Sequence, residues 1–314
     1  MIRVEALAAV FQGSLKLRRE ESCLIVTDTV KENIGRAFFE YARKITPRAK
    51  LIVMDPTKEH AAEPPADVKN AMLQYDVQML ITDKSLTHTA ARIEASSRGA
   101  RIATMPGITE EIANRCLEID YADLKKQSNR LYDILSRTKK IRVTTEKGTD
   151  ITFIVGKSKF FGKDGGSFDF PGAYGNLPEG EVSFAPADCK GRFIVDASFP
   201  ELGILAEHII FSASGGVVNE ITGYKAEEII RRLDSIGPRA YKVAELGIGL
   251  NPRAVISGQV LEDEKVIGTV HIALGNNMSY GGNNDVPLHL DGVISNPDIY
   301  VDGGKLMENG RFTW

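Results

Sequence analysis

Side chains that could bind a metal ion are concentrated between Glu245 and Asp291. His289 and Asp291 lie two residues apart in an alternating apolar segment, which is typical of a β-strand. Successive side chains of a strand point to opposite faces, so this imidazole and this carboxylate share one face and could hold one ion. His271 has similar apolar flanks, and a second strand could bring its imidazole to the same centre. The pattern predicts a metal site built on strands.

The composition is that of an ordinary globular protein. The chain has 314 residues, of which 43% are hydrophobic and 26% charged, enough for two domains. Its net charge of −3 lacks the basic excess of nucleic-acid-binding proteins, so we expect no nucleic-acid partner. The three cysteines are far apart and form no Cys-x-x-Cys pair. There is no signal-peptide pattern and no long uncharged run, so we expect a cytoplasmic protein without a membrane partner.

The first half alternates short apolar runs with helical patterns. The apolar runs are Cys23–Thr27, Leu51–Asp55, Val77–Thr82 and Arg101–Met105. Non-alternating apolar strands separated by helices indicate a parallel sheet covered on both faces. We therefore predict a doubly wound, Rossmann-like α/β domain over residues 1–138, which begins with an amphipathic helix over residues 3–19.

No phosphate-binding loop follows any of these strands, because the chain has neither Gly-x-Gly-x-x-Gly nor Gly-Lys-Ser/Thr there. A helix is predicted over residues 87–98, with His88 and Arg92 one turn apart at its start. This pair could bind an anionic group of a substrate. The alternative is an ordinary capped and solvated helix end.

The second half, residues 139–314, is dominated by strand patterns. Ile141–Thr145 and Asp150–Val155 flank a Glu-Lys-Gly turn and predict a hairpin. Further β-patterns include Val255–Val260 and Lys265–Leu274, whereas only residues 225–236 form a clear helical pattern. We predict a β-rich, metal-binding catalytic domain whose antiparallel or mixed sheet curls into a partial barrel.

Four motifs, in order along the second half, resemble those of the metallo-aminopeptidases typified by aminopeptidases T and S. They are Asn176–Val182, Ala244–Asn251, His271–Gly275 and His289–Asp291. The resemblance implies an α/β amino-terminal domain, a homodimer with its cleft between domains, and hydrolysis of a small peptide by metal-activated water. The implied ligands of one or two divalent ions (Zn, Mn, Co or Fe) are Glu181, Glu245, His271, His289 and Asp291, and the implied catalytic residues are Glu245 and Tyr280.

The chain departs from that family in one loop. Tyr280 follows His271 by nine residues, and the segment from His271 to His289 is shorter than in typical aminopeptidases. Both the match of Tyr280 to the family's tyrosine and the substrate specificity of the protein depend on this shorter loop between His271 and His289.

Two other functions remain open. The 2,5-dihydroxypyridine 5,6-dioxygenases share the fold and look similar through His271, His289 and Asp291, which form the facial triad of a non-haem Fe(II) site. Glu181 and Glu245 discriminate between the two enzyme classes. If both bind metal, the site is a hydrolytic cluster, and if neither does, the site holds a single iron. The third possibility is an inactive metal-binding module that binds a small molecule, although the presence of all five ligand types argues against it.

Overall fold

The computed structural model describes residues 1–314, with twenty strands and eight α-helices. The strands are β1 (Cys23–Asp28), β2 (Ala49–Met54), β3 (Val77–Ile81), β4 (Arg101–Thr104), β5 (Lys140–Thr144), β6 (Asp150–Ile154), β7 (Phe160–Phe161), β8 (Tyr174–Asn176), β9 (Glu181–Phe184), β10 (Asp188–Val195), β11 (Ser198–Phe199), β12 (Gly203–Ile204), β13 (Ile209–Ser214), β14 (Val217–Gly223), β15 (Val243–Gly249), β16 (Thr269–Gly275), β17 (His289–Ser295), β18 (Asp298–Val301), β19 (Gly304–Glu308) and β20 (Arg311–Phe312).

The helices are α1 (Val4–Ala8), α2 (Glu32–Ile45), α3 (Ala66–Met72), α4 (Ala90–Ser97), α5 (Glu110–Cys116), α6 (Tyr121–Leu135), α7 (Ala226–Asp234) and α8 (Val260–Asp263). A π-helical segment, Ala9–Ser14, follows α1, and two short 3₁₀ helices occur at Pro238–Tyr241 and Met278–Tyr280. None of these helices combines the length and the apolar character needed to cross a membrane.

The chain forms two compact units. The first contains Met1–Lys126 and Asp164–Glu179, and the second contains Gln127–Lys163 and Gly180–Trp314. The first unit includes the later segment Asp164–Glu179 because β8, which lies in that segment, pairs with β4. The sequence-based division at residue 138 leaves β8, a strand of the parallel sheet, in the second half, and it stays a prediction about the domains.

The first unit is a five-stranded parallel sheet in the order β2-β1-β3-β4-β8. Every residue of β1, β3 and β4 is buried, as expected for parallel strands covered on both faces. Side chains from α3 and α4 pack with strand residues such as Leu24, Leu80 and Ile102 in one core. The predicted doubly wound α/β architecture is confirmed, and the four predicted strands begin or end within two residues of those observed.

Two elements of the first unit differ from the sequence prediction. The amino-terminal helix is shorter than residues 3–19, because helical structure ends at Ser14 and Lys16 adopts a positive φ of 44°. The fifth strand, β8, is absent from the four strands predicted for this sheet. It has only three residues and contains Gly175, which packs against the ring of Phe168, so no apolar pattern marks it as a strand.

The second unit contains two antiparallel sheets. One has eight strands in the order β14-β13-β10-β6-β5-β18-β19-β20, and the other has seven in the order β12-β11-β17-β16-β15-β9-β7. The predicted hairpin is formed by β5 and β6. In the seven-stranded sheet, β15 and β16 are buried along their whole length and β17 is buried except at its two ends. The predicted β-rich second half is therefore confirmed, but its strands form two open antiparallel sheets and not one sheet curled into a partial barrel.

The strand predicted at Val255–Val260 is wrong. The segment is a loop that leads into α8, and its backbone N–H groups are bound by carboxylates instead of a neighbouring strand. Val255 donates to Glu262 (3.0 Å), and Ser257 and Gly258 donate to Asp263 (2.7 and 3.0 Å). Two buried acidic side chains thus supply the acceptors that a neighbouring strand would otherwise provide.

A buried ion pair connects the segment before β1 to the start of β4. Arg101 donates from two nitrogens to the two carboxylate oxygens of Glu21 (2.8 and 2.9 Å) and from one of them to the carbonyl of Leu15 (3.0 Å). Arg18 adds a further hydrogen bond to Glu21 (2.8 Å). Burial opposes ionisation of Glu21, but both arginines outweigh it and lower the pKa from about 4.5 to about 2.

We expect Glu21→Gln to destabilise the protein by about 3 kcal/mol at pH 7, because it leaves a buried arginine without its counter-charge. Glu20→Gln is the matched control, since that side chain is 72% exposed. The pKa of Glu21 is lowered on folding, so its contribution is present above pH 4.5 and is lost as the pH falls towards 2. Urea unfolding at pH 7 and pH 3 measures both effects, and an equal loss at the two pH values would contradict the assignment.

Candidate metal centre

Strand register places the predicted ligands on one face of the seven-stranded sheet. Residues directly opposite each other on antiparallel strands share a face. Ala273 of β16 lies between Glu245 of β15 and Asp291 of β17. His271 is two residues from Ala273, and His289 is two residues from Asp291, so both imidazoles point to the same side as the carboxylates. The predicted sharing of a face by His289 and Asp291 is therefore observed.

Small residues on this face leave room for the larger side chains. Gly247 is opposite His271, and a Cβ at Gly247 would lie only 2.1 Å from Nε2 of the imidazole. Gly249, two residues further along β15, is opposite Glu181 of β9, which brings a further carboxylate to the same face. Ala273 provides a short side chain at the centre of the group.

The five side chains form one connected cluster. Nε2 of His289 lies 3.0 Å from Oε2 of Glu245 and 3.2 Å from Oδ1 of Asp291. Nε2 of His271 lies 3.2 Å from Oε2 of Glu181 and 3.6 Å from Oε1 of Glu245. Glu245 thus contacts both imidazoles, and the predicted ligands are brought together.

Several buried atoms of the cluster have no hydrogen-bond partner. They are Oε2 of Glu181, Oε1 of Glu245, Oδ1 of Asp291 and both ring nitrogens of His271. Unpartnered buried polar atoms are rare and costly, and a bound cation would satisfy them together. The side chains form three groups, and within each group the potential ligand atoms lie no more than 4.8 Å apart. The groups are Glu181, Glu245 and His271; Glu245, His289 and Asp291; and Glu264, His271 and Asp291. Carboxylate oxygens and imidazole nitrogens suit Zn²⁺, Mn²⁺, Co²⁺ and Fe²⁺.

The orientation of His289 also suits a metal ligand. Its Nδ1–H donates to the backbone carbonyl of Asn276 (2.7 Å), which can only accept, so Nε2 is the nitrogen left to bind a cation once it has lost its proton. The side chain of His289 is 26% exposed, whereas those of His271 and Glu245 are each 1% exposed. The cluster is therefore reached from the side of His289.

Without a cation, the imidazoles and carboxylates balance one another's charge. Burial alone would lower the pKa of His271, but Glu181 and Glu245 outweigh it and raise the pKa to about 9. Burial raises the pKa of Glu181 to about 8, although the nearby Lys265 opposes the shift. Burial also acts to raise the pKa of Glu245, yet the two imidazoles lower it below its usual range. Binding of a divalent ion must therefore displace protons from the cluster.

Two residues of the cluster were missed by sequence reasoning. Glu264 belongs to one of the three ligand groups, and the Lys265 ammonium lies 2.6 Å from Glu264 and 2.7 Å from Glu181. They occur in the run Glu-Asp-Glu-Lys at residues 262–265, which reads as a solvated charged loop. Apart from Glu264, which is half-buried, the run is fully buried, and no local pattern indicates this.

Tyr280 lies beside the cluster. Its ring stacks on that of His289 with centroids 5.5 Å apart, and Phe161 meets Tyr280 edge-on at 5.4 Å. Burial and then the negative charge of the surrounding carboxylates raise the pKa of the Tyr280 hydroxyl well above 10. The hydroxyl is therefore a neutral donor, and its catalytic role stays a prediction.

His88 and Arg92 lie in the first unit. Helix α4 begins two residues beyond His88, so the two residues are not one turn apart on a helix as predicted. Arg92 is buried, donates from Nε to the carbonyl of Thr87 (2.6 Å), and lies 3.8 Å above the ring of Tyr174. The Arg92 guanidinium thus already makes contacts within the protein. Binding of a substrate by His88 and Arg92 stays a prediction.

Sequence comparison provides the decisive observation. The profile of the NicX family, described as 2,5-dihydroxypyridine 5,6-dioxygenase, matches residues 10–314. The chain belongs to this family. A curated relative, the 2,5-dihydroxypyridine 5,6-dioxygenase of Pseudomonas putida KT2440, is 24% identical over 240 residues, which is 71% of this chain and 67% of the relative.

Two solved structures have the same fold as this member of the NicX family. The 2,5-dihydroxypyridine dioxygenase from Pseudomonas putida KT2440 matches with a TM-score of 0.84 at 18% identity, covering 98% of this chain and 96% of that one. Wild-type AmpT from Thermus thermophilus matches with a TM-score of 0.68 at 20% identity, covering 99% and 98% of the two chains. Both resemblances expected from the sequence motifs are therefore found, and the dioxygenase is the one named by the family profile.

We expect Gly247→Ala to weaken metal binding roughly 10- to 100-fold, the loss usual when the support of a ligand is disturbed, because the new Cβ would displace the His271 ring. Gly304→Ala is the matched control, since a Cβ there meets only the carbonyl of Val301 at 3.5 Å. Titration with Co²⁺, followed by its visible absorption, measures both variants. Equal affinities would show that His271 does not bind the ion.

Proposed function

We propose that the protein is a metal-dependent ring-cleaving dioxygenase that acts on a dihydroxylated pyridine or a related small aromatic compound. Membership of the NicX family over nearly the whole chain supports this reaction. The ligands of the proposed single iron are His271, His289 and Asp291, which supply two imidazoles and one carboxylate.

The observation that carries the proposal is that the Asp291 carboxylate lies within ligand distance of each imidazole. Asp291 belongs to one group of ligand atoms with His289 and to another with His271. Asp291 could therefore bind the same ion as either imidazole, a property that Glu245 shares. When bound in such a triad, Fe(II) supplies open coordination positions for dioxygen and substrate and the redox chemistry of ring cleavage.

Neighbouring backbone and side-chain groups orient the ligands. The Asn276 carbonyl fixes the tautomer of His289, and the Tyr280 ring fixes its plane. Glu245 lies against both imidazoles, where its negative charge favours their binding to a cation. The rings of Tyr280 and Phe161 form an aromatic wall on the more open side, against which a planar heteroaromatic substrate would stack.

A metallo-aminopeptidase is the second candidate. The fold of AmpT and the four carboxylates of the cluster favour it, because bridging carboxylates suit a pair of hydrolytic metal ions. Against it, Glu181 forms an ion pair with Lys265 and is not simply an open ligand. The two candidates predict different metals, co-substrates and products.

We expect protein loaded anaerobically with Fe(II) to consume one equivalent of dioxygen per 2,5-dihydroxypyridine, with loss of the aromatic absorption. The Zn²⁺-loaded protein should be inactive, since Zn²⁺ has no redox chemistry. An oxygen electrode and an ultraviolet spectrum measure the reaction, and aminoacyl p-nitroanilides test peptidase activity in parallel. Hydrolysis without oxygen uptake would establish the aminopeptidase instead.

We expect Glu245→Gln to keep its iron and to lose roughly 10- to 100-fold in turnover, as is usual for a residue that supports ligands without binding the ion. His289→Ala should lose the metal in either enzyme class, and Glu227→Gln, whose side chain is 92% exposed, should change neither property. Metal analysis and oxygen uptake measure all three. Loss of the metal from Glu245→Gln would place Glu245 among the ligands and support the hydrolytic cluster.

A further inference from the structure

A buried lysine lies within the acidic cluster. The side chain of Lys265 is only 2% exposed, and its ammonium is 2.7 Å from Oε1 of Glu181 and 2.6 Å from Oε1 of Glu264. Glu181 also contacts His271 through its other oxygen, at 3.2 Å. The ammonium therefore sits between two of the four carboxylates that surround the imidazoles.

The backbone holds Lys265 at this position. Its N–H donates to the carbonyl of Glu262 (2.9 Å), and its carbonyl accepts from the N–H of Asn251 (2.8 Å). Gly249 lets this segment approach β15 closely, because a Cβ there would lie 2.0 Å from the carbonyl oxygen of Val266. The position of the ammonium is therefore built into the fold.

The role of the ammonium follows from the balance between the carboxylate charges and the bound cations. When all four are ionised, Glu181, Glu245, Glu264 and Asp291 carry four negative charges, which two divalent ions would neutralise. With the ammonium present, three negative charges remain, so one divalent ion leaves a single negative charge, and a second ion would make the site positive. Two like charges a few ångströms apart repel strongly even at an effective dielectric constant of about 20.

We propose that Lys265 takes the place of a second metal ion and thereby restricts the cluster to one. The ammonium pairs with Glu181 and Glu264, and the single divalent ion binds at His271, His289 and Asp291. Lys265 is thus a positioning residue that sets the number of ions. The inference rests on the proposed one-iron function, although its test measures metal binding alone.

The test compares Mn²⁺ binding to the wild-type protein and to Lys265→Met, which keeps the side-chain length and removes the charge. Equilibrium dialysis gives the number of ions per chain, and electron paramagnetic resonance shows whether two ions are magnetically coupled. We expect one isolated ion in the wild type and two coupled ions in Lys265→Met, with second-site affinity raised at least about a hundredfold. Lys265→Arg, which keeps the charge, should bind one ion.

A purely structural ion pair predicts another result, because its loss would lower the melting temperature without adding an ion. One ion in Lys265→Met with unchanged affinity would overturn the proposal, as would two coupled ions in the wild type. If Lys265→Met does not fold by circular dichroism, Lys265→Gln replaces it. No substrate or oxygen is used, so a failure of iron-dependent turnover and a failure of this inference are seen separately.

Discussion

The structure of the second unit depends on one electrostatic constraint: several carboxylates and two imidazoles are buried on the same face of an antiparallel sheet. Removing a charge from water costs several kcal/mol unless a counter-charge is close. Lys265 supplies part of that counter-charge, and the unpartnered atoms of His271, Asp291 and Glu245 indicate where a divalent ion would supply the rest. Metal binding and stability of this face are therefore coupled.

The same side chains are compatible with two chemistries, and charge balance separates them. Carboxylates that bridge two ions suit hydrolysis, whereas two imidazoles and one carboxylate around a single iron suit reactions with dioxygen. The ammonium of Lys265 beside Glu181 moves the balance towards one ion. Membership of the NicX family independently supports the proposed reaction with dioxygen.

Four of the five strands of the parallel sheet were predicted to within two residues at each end, because each is a short segment of mainly apolar residues between helical patterns. The prediction of secondary structure was wrong where tertiary contacts, and not the local sequence pattern, decide the conformation. The strand β8 contains Gly175 and has too few residues to show a pattern. The Val255–Val260 segment has β-forming residues, but the buried carboxylates of Glu262 and Asp263 bind its N–H groups and hold it as a loop.

The sequence by itself determined the ligand types, the strand character around His271 and His289, and the sharing of a face by His289 and Asp291, because a period of two residues is a local property of a strand. Tertiary structure alone decided which residues meet across strands: the register that sets Ala273 between Glu245 and Asp291, and the glycine at 247 that makes room for His271. It also brought Glu264 and Lys265 into the cluster. Burial depends on the packing of segments that are distant in sequence. The charged run at residues 262–265 therefore gives no local sign that it is buried.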